Sequence, residues 1–113
     1  MTKPKVADTS DPTQRASRAL SKLLFGGATY RLEIGAAIAA TPIVNTAELS
    51  RALSVVRQSV NQELRILERA GLLIRAPGSG REVYLWRQES RYWAWCEEAH
   101  ANAARMLERM PRF

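Results

Sequence analysis

The chain has little of what catalysis and metal chemistry usually require. Its 113 residues include one cysteine, Cys96, and one histidine, His100. A lone cysteine excludes an internal disulfide and accords with a reducing, cytoplasmic setting. A lone histidine, with no Ser-His-Asp set, no phosphate loop and no ligand-spaced cluster, leaves enzymatic chemistry without a candidate site. No apolar run approaches the roughly 20 residues needed to span a bilayer. The opening "MTKPKVADTSDPTQ" has no apolar core behind its lysines, so it does not read as a secretory signal. No internal repeat is visible. Acidic residues are also scarce, 11 against 17 lysines and arginines, which gives a net charge of +6. That excess favours a polyanionic partner, either nucleic acid or an anionic membrane surface; a basic protein without a charged partner is the alternative.

What is present fits one small domain, with 46% hydrophobic and 25% charged residues. Residues 1–12, with two prolines and two lysines, read as a disordered tail ahead of a domain over 13–110. Ala16, Ala19, Leu20, Leu23 and Leu24 share one side of a first helix that Gly26 and Gly27 end. Leu32, Ile34, Ala37 and Ile38 mark a second helix; Gly35 inside it would let a neighbouring helix approach closely, and Pro42 stops it. Ile43 and Val44 suffice for a strand stub. Asn45 and Glu48 form a capping box for a third helix, "TAELSRAL". A short turn leads to a fourth, in which Val56, Val60, Leu64 and Leu67 form a stripe spaced four, four and three apart. Gly71 ends it. "LLIRAPGSGREVYLWR" reads as a hairpin with a glycine-rich tip, and Ser90 caps a long last helix through about Met110. The expected fold is therefore mostly α with a small β-hairpin. Its order is helix, helix, strand stub, helix, turn, helix, hairpin, helix, which is a winged helix-turn-helix.

The fourth helix carries the functional signal. With Val60, Leu64 and Leu67 turned inward, its other side presents Arg57, Gln58, Asn61, Gln62 and Arg65. Arginine can bond guanine bidentately, and Asn and Gln can do the same with adenine. Small Ser59 lets the helix N-terminus approach a phosphate. A merely solvated face usually favours Glu and Lys; this one has no lysine. In the hairpin, Arg75 and Arg81 flank the tip and Ser79 sits on it, a set suited to phosphates or the minor groove. The alternative is that they shield an exposed strand edge.

"YRLEI" at 30–34 and "TAELSRALSVVRQSVNQELRILERAGLL" at 46–73, with the hairpin beyond, resemble the ArsR-type transcriptional repressors; MarR-type regulators are more distant relatives. The resemblance covers roughly residues 14 to 108 and implies that the fourth helix reads DNA. It also implies a homodimer built from the first and last helices, here through Leu20, Leu24, Tyr92, Trp95, Ala99 and Met106. A last helix with two apolar stripes points the same way; a monomer whose aromatics complete its own core is the alternative. The sequence departs from the family in two places. Val56 stands where a capping side chain is common, which leaves the position of Arg57 open. The helix before the turn has no Cys-x-Cys, so the family's metal site there is absent. Cys96 and His100, four residues apart, form only a thin metal signal, and no metal or cofactor is expected.

The expected function is a homodimeric, sequence-specific regulator, a repressor, with double-stranded DNA and a second copy as partners and no membrane association. A winged-helix protein–protein module and a weakly specific architectural DNA binder are the alternatives.

Overall fold

A computed structural model describes residues 11–41, 43–76 and 84–110, with Ile43 and Tyr84 described by their backbone. The expected tail lies outside the described residues as far as Ser10. Helix α1 (Pro12–Leu24) begins where that tail was expected to end. Asp11 accepts hydrogen bonds from the N–H groups of Thr13 (2.9 Å) and Gln14 (3.3 Å), and Pro12 occupies the first position, where no N–H is needed. Gly26 and Gly27, both at positive φ, close the helix.

The inner side of α1 differs from the periodicity reading. Ser17, Leu20 and Ser21 are buried, whereas Leu23 and Leu24 are 64% and 42% exposed. This face is held by hydrogen bonds as much as by apolar packing. Ser21 Oγ donates to Ala28 O (2.5 Å) and accepts from the Leu32 N–H (3.2 Å), while Ser17 Oγ meets His100 Nδ1 at 2.7 Å. Two leucines are left facing outward.

Helix α2 (Arg31–Ala39) runs through the middle, with Leu32, Ile34, Ala36 and Ile38 buried. It packs most extensively against α5 (Arg91–Ala101). Gly35 makes that approach possible: a Cβ there would run into Cys96 Sγ and stand 3.0 Å from Cys96 Cβ. Gly35→Ala should therefore destabilise the fold by about 1–3 kcal/mol, the usual cost of overpacking. Chemical denaturation checks this, and a Cys96→Ala background should recover part of the loss.

Strand β1 (Ile43–Asn45) turns the expected hairpin into a three-stranded antiparallel sheet, order β1-β3-β2, with β2 at Leu73–Arg75 and β3 at Tyr84–Arg87. Val44, Leu73 and Leu85 face inward, joining Ile34, Ile38, Leu49, Val60, Leu64, Leu67 and Trp93 in the main core. Ile74 and Trp86, opposite each other in register, face outward. Trp93 Nε1 donates to Gln88 O (2.6 Å), which fastens α5 to the end of the sheet. A second cluster of Leu20, Leu32, Cys96, Ala99 and Ala103 joins α1 and α2 to the C-terminal helices.

The long last helix is broken. α5 stops at Ala101 and α6 (Ala103–Arg109) restarts after Asn102. The Asn102 side chain donates to Glu98 O (2.9 Å), which also accepts the Asn102 N–H (3.0 Å), and it accepts from Arg105 Nη2 (2.5 Å), so side-chain bonds bridge the break. Among the described residues no helix is long and apolar enough to cross a membrane.

Candidate nucleic-acid interface

Helix α3 (Thr46–Leu53) and helix α4 (Arg57–Arg69) are joined by Ser54, Val55 and Val56. Asn45 caps α3 through a hydrogen bond from the Glu48 N–H (3.0 Å). Ser54 then takes the left-handed conformation (φ 56°) and reverses the chain. The start of α4 corrects the stripe drawn from the sequence. Val55 is the buried residue at 4% exposure, while Val56 is 67% exposed and stands ahead of the helix in extended conformation. The helix does not begin until Arg57, so helical spacing cannot be extended back to Val56. Val56 supplies no capping side chain, which leaves the first N–H groups of α4 open to water or an anion.

Val60, Leu64 and Leu67 are buried as expected, and they set the other side of α4 outward. Arg57, Gln58, Asn61, Gln62 and Arg65 are exposed, with Ser59 half-buried among them. Gln58, Asn61, Gln62 and Arg65 line one shallow depression along the helix. Ser59 and Gln62 also border a second cleft, closed on its far side by Thr29 and Arg31.

The charges on α4 are sorted. Glu63 is drawn aside by Arg31 of α2 (Nε to Oε1 2.7 Å), whose guanidinium also lies over the Phe25 ring. Glu68 is held by Arg75 of β2 (Nη2 to Oε1 3.0 Å). Among the described residues, Arg57, Arg65 and Arg69 have no ion-pair partner. Arg69 was missed by the sequence reading; its signal is the four-residue step from Arg65, which puts the two on one side of the helix. Arg65, Glu68, Arg69 and Arg75 border a common cleft that carries the positive surface from α4 to the base of the hairpin. Arg75 is therefore a brace for α4 as well as a residue of the hairpin. Ser79 and Arg81 lie outside the described residues.

The remaining candidates have structural occupations. Cys96 is fully buried against Gly35, and burial pushes its thiol up to about 11, against a weaker opposing effect from the hydrogen bond with Tyr92. The same burial raises the Tyr92 phenol above its ordinary range. His100 is held by Ser17. Among the described residues no group of three or more His, Cys, Asp or Glu side chains could hold a metal ion. Of the six residues expected at a dimer face, Leu20 and Ala99 are covered within the chain, at 0% and 1% exposure. Tyr92 and Met106 are half-buried, and Leu24 and Trp95 remain exposed. Phe25 packs edge-on to Trp95 between them.

No family model matches the chain, and no curated protein matches it. Among solved structures it is similar to the apo form of wild-type MarR from E. coli, with a TM-score of 0.59 at 20% identity, over 88% of this chain and 73% of that one. The two share the winged-helix fold. The solved relative is thus of the type that the sequence motifs placed second to ArsR.

Proposed function

We propose that this chain is a sequence-specific double-stranded DNA-binding regulator of transcription in the ArsR–MarR group. It acts in the cytoplasm as a homodimer, without catalysis or a bound cofactor, and represses by occupying its site. One observation carries this reading. Both acids on α4 are engaged by arginines from other elements, while Arg57, Arg65 and Arg69 have no ion partner among the described residues beside Gln58, Asn61 and Gln62. That is the side-chain set for base edges and phosphates, cleared of the carboxylates that would repel them. In this reading α4 enters the major groove, and the hairpin, with Arg75, Ser79 and Arg81, lies along the flank. Leu23, Leu24 and Trp95 offer an apolar face to the second copy, which supports the dimer but leaves Leu20 and Ala99 as core residues behind it.

A protein-binding winged-helix module is favoured by one feature, the adjacent Ile74 and Trp86, each 47% exposed on the outer sheet face. Selection of bound duplexes from a random pool, using the full chain, separates the readings. The proposal expects an inverted repeat whose half-sites are about 34 Å apart, one helical turn. Tight, salt-sensitive binding that enriches no sequence would make the protein architectural. No binding at all would leave the protein-partner reading.

A further inference from the structure

We infer that α1 is a positioning element for the reading head: Gln14 and Arg18, organised by the buried carboxylate of Glu33, hold the last carbonyl of α3 and so fix the turn from which α4 starts. The inference rests on the DNA-binding reading above and concerns residues that reading does not use.

Glu33 is the odd residue of α2. Its neighbours Leu32, Ile34, Gly35 and Ala36 are buried, and its own side chain is fully buried. A carboxylate in such surroundings persists only if its oxygens are occupied. Oε1 accepts from Arg18 Nε (2.5 Å), and Oε2 accepts from Arg18 Nη2 (3.1 Å) and Gln14 Nε2 (2.6 Å). Neutralising Glu33 would need nothing more, yet both donors reach further. Gln14 Nε2 donates to Leu53 O at 3.1 Å, and Arg18 Nη2 donates to the same oxygen at 3.2 Å.

Leu53 is the last residue of α3, where helix carbonyls lose their intrahelical partners and the helix dipole favours a cation. Immediately after it comes Ser54, the only non-glycine residue at positive φ among the described residues. A serine in that conformation must be held by its surroundings. On one side the Val55 N–H donates to Ser50 O (3.1 Å) and Ser50 Oγ donates to Val55 O (2.6 Å). On the other side stand the two donors of α1. Arginine suits this post because its planar fork holds both carboxylate oxygens and the carbonyl in one fixed geometry, whereas a lysine ammonium is a single point charge without a fork. The ring of Tyr30, 5.0 Å from the guanidinium carbon, helps set the plane of the fork.

The test uses Arg18→Lys, which keeps the charge beside Glu33 but not the fork, and Gln14→Leu, which leaves the Arg18–Glu33 pair intact should the lysine variant fold poorly. Amide hydrogen exchange is followed at Ser54 and Val55, with the amides of Cys96 and Ala99 in α5 as the reference for global opening. Affinity for the selected duplex is measured alongside. Exchange at the turn should rise about tenfold or more while the α5 amides hold their rates, because the opening is local. DNA affinity should fall about tenfold, while binding to heparin, a polyanion with no groove to read, stays unchanged. Turn amides that change only in step with α5 would reduce the network to ordinary stabilisation and overturn the inference. So would a loosened turn with unchanged DNA affinity. If the wild-type chain selects no duplex, the functional reading fails instead, and the exchange data alone decide whether α1 fixes the turn.

Discussion

Arg18→Ala should cost about 3–5 kcal/mol of stability, enough to unfold much of a small domain whose total is about 5–15 kcal/mol. The magnitude follows from what is left behind. The Glu33 side chain is fully buried and that of Arg18 is 17% exposed, so removing the guanidinium strands a carboxylate that water cannot reach. Gln14 would remain, but a neutral amide does not balance a buried charge. The reciprocal change is milder, because Arg18 keeps its bond to Leu53 O (3.2 Å) and some access to solvent. Replacing both partners together, Arg18→Met with Glu33→Leu, should return most of the loss, since apolar side chains of similar volume carry no desolvation cost. Urea denaturation of the two single variants and the double variant measures this directly. A single-variant loss below about 1 kcal/mol, the level of an exposed pair, would mean that the network is not buried in solution.

The second large effect is on binding. Alanine at Arg57, Arg65 and Arg69 together should weaken affinity for the selected duplex by about a hundredfold or more, with about 1–3 kcal/mol lost for each arginine that reads a base. The salt dependence should flatten by about one unit for each arginine that contacts phosphate. The melting temperature should barely move, because all three are exposed and make no ion pair among the described residues. Alanine at Arg105 and Arg109, both exposed on α6, removes two positive charges from another surface and should leave DNA affinity nearly unchanged. Equal losses from both sets would mean that net charge, and not α4, does the binding.

The order of elements was legible because the period of the apolar residues changes where glycines and prolines interrupt it. Gly26–Gly27 and Gly71 fall at element ends, and Val60, Leu64 and Leu67 form the buried stripe of α4. The gaps arose where a polar partner distant in sequence decides the outcome. Periodicity placed the leucines of α1 inward, but the inner face carries Ser17, bonded to His100 83 residues on, and Ser21, bonded to Ala28 and Leu32 just past the helix, and Leu23 and Leu24 lie outside. Glu33 gives no local sign of burial, because its partners lie 15 and 19 residues away on another helix. The break at Asn102 falls within an alanine-rich run that has no glycine or proline to mark it. The exchange of Val55 for Val56 turns on the left-handed Ser54, a conformation that no pattern of apolar residues reports. At the candidate interface, the exposed polar face of α4 was legible from its buried face. The pairing of Glu63 with Arg31 and of Glu68 with Arg75 was not, and it is that pairing which turns a mixed-charge helix into a cationic one.

The most direct test of the DNA-reading account is a comparison of affinities for the selected duplex and a scrambled duplex of the same length, each titrated between about 50 and 200 mM salt. Both should weaken steeply as salt rises, with the selected duplex about a thousandfold tighter, or more, at physiological salt. Equal affinities for the two across the whole range would contradict the claim that α4 reads sequence.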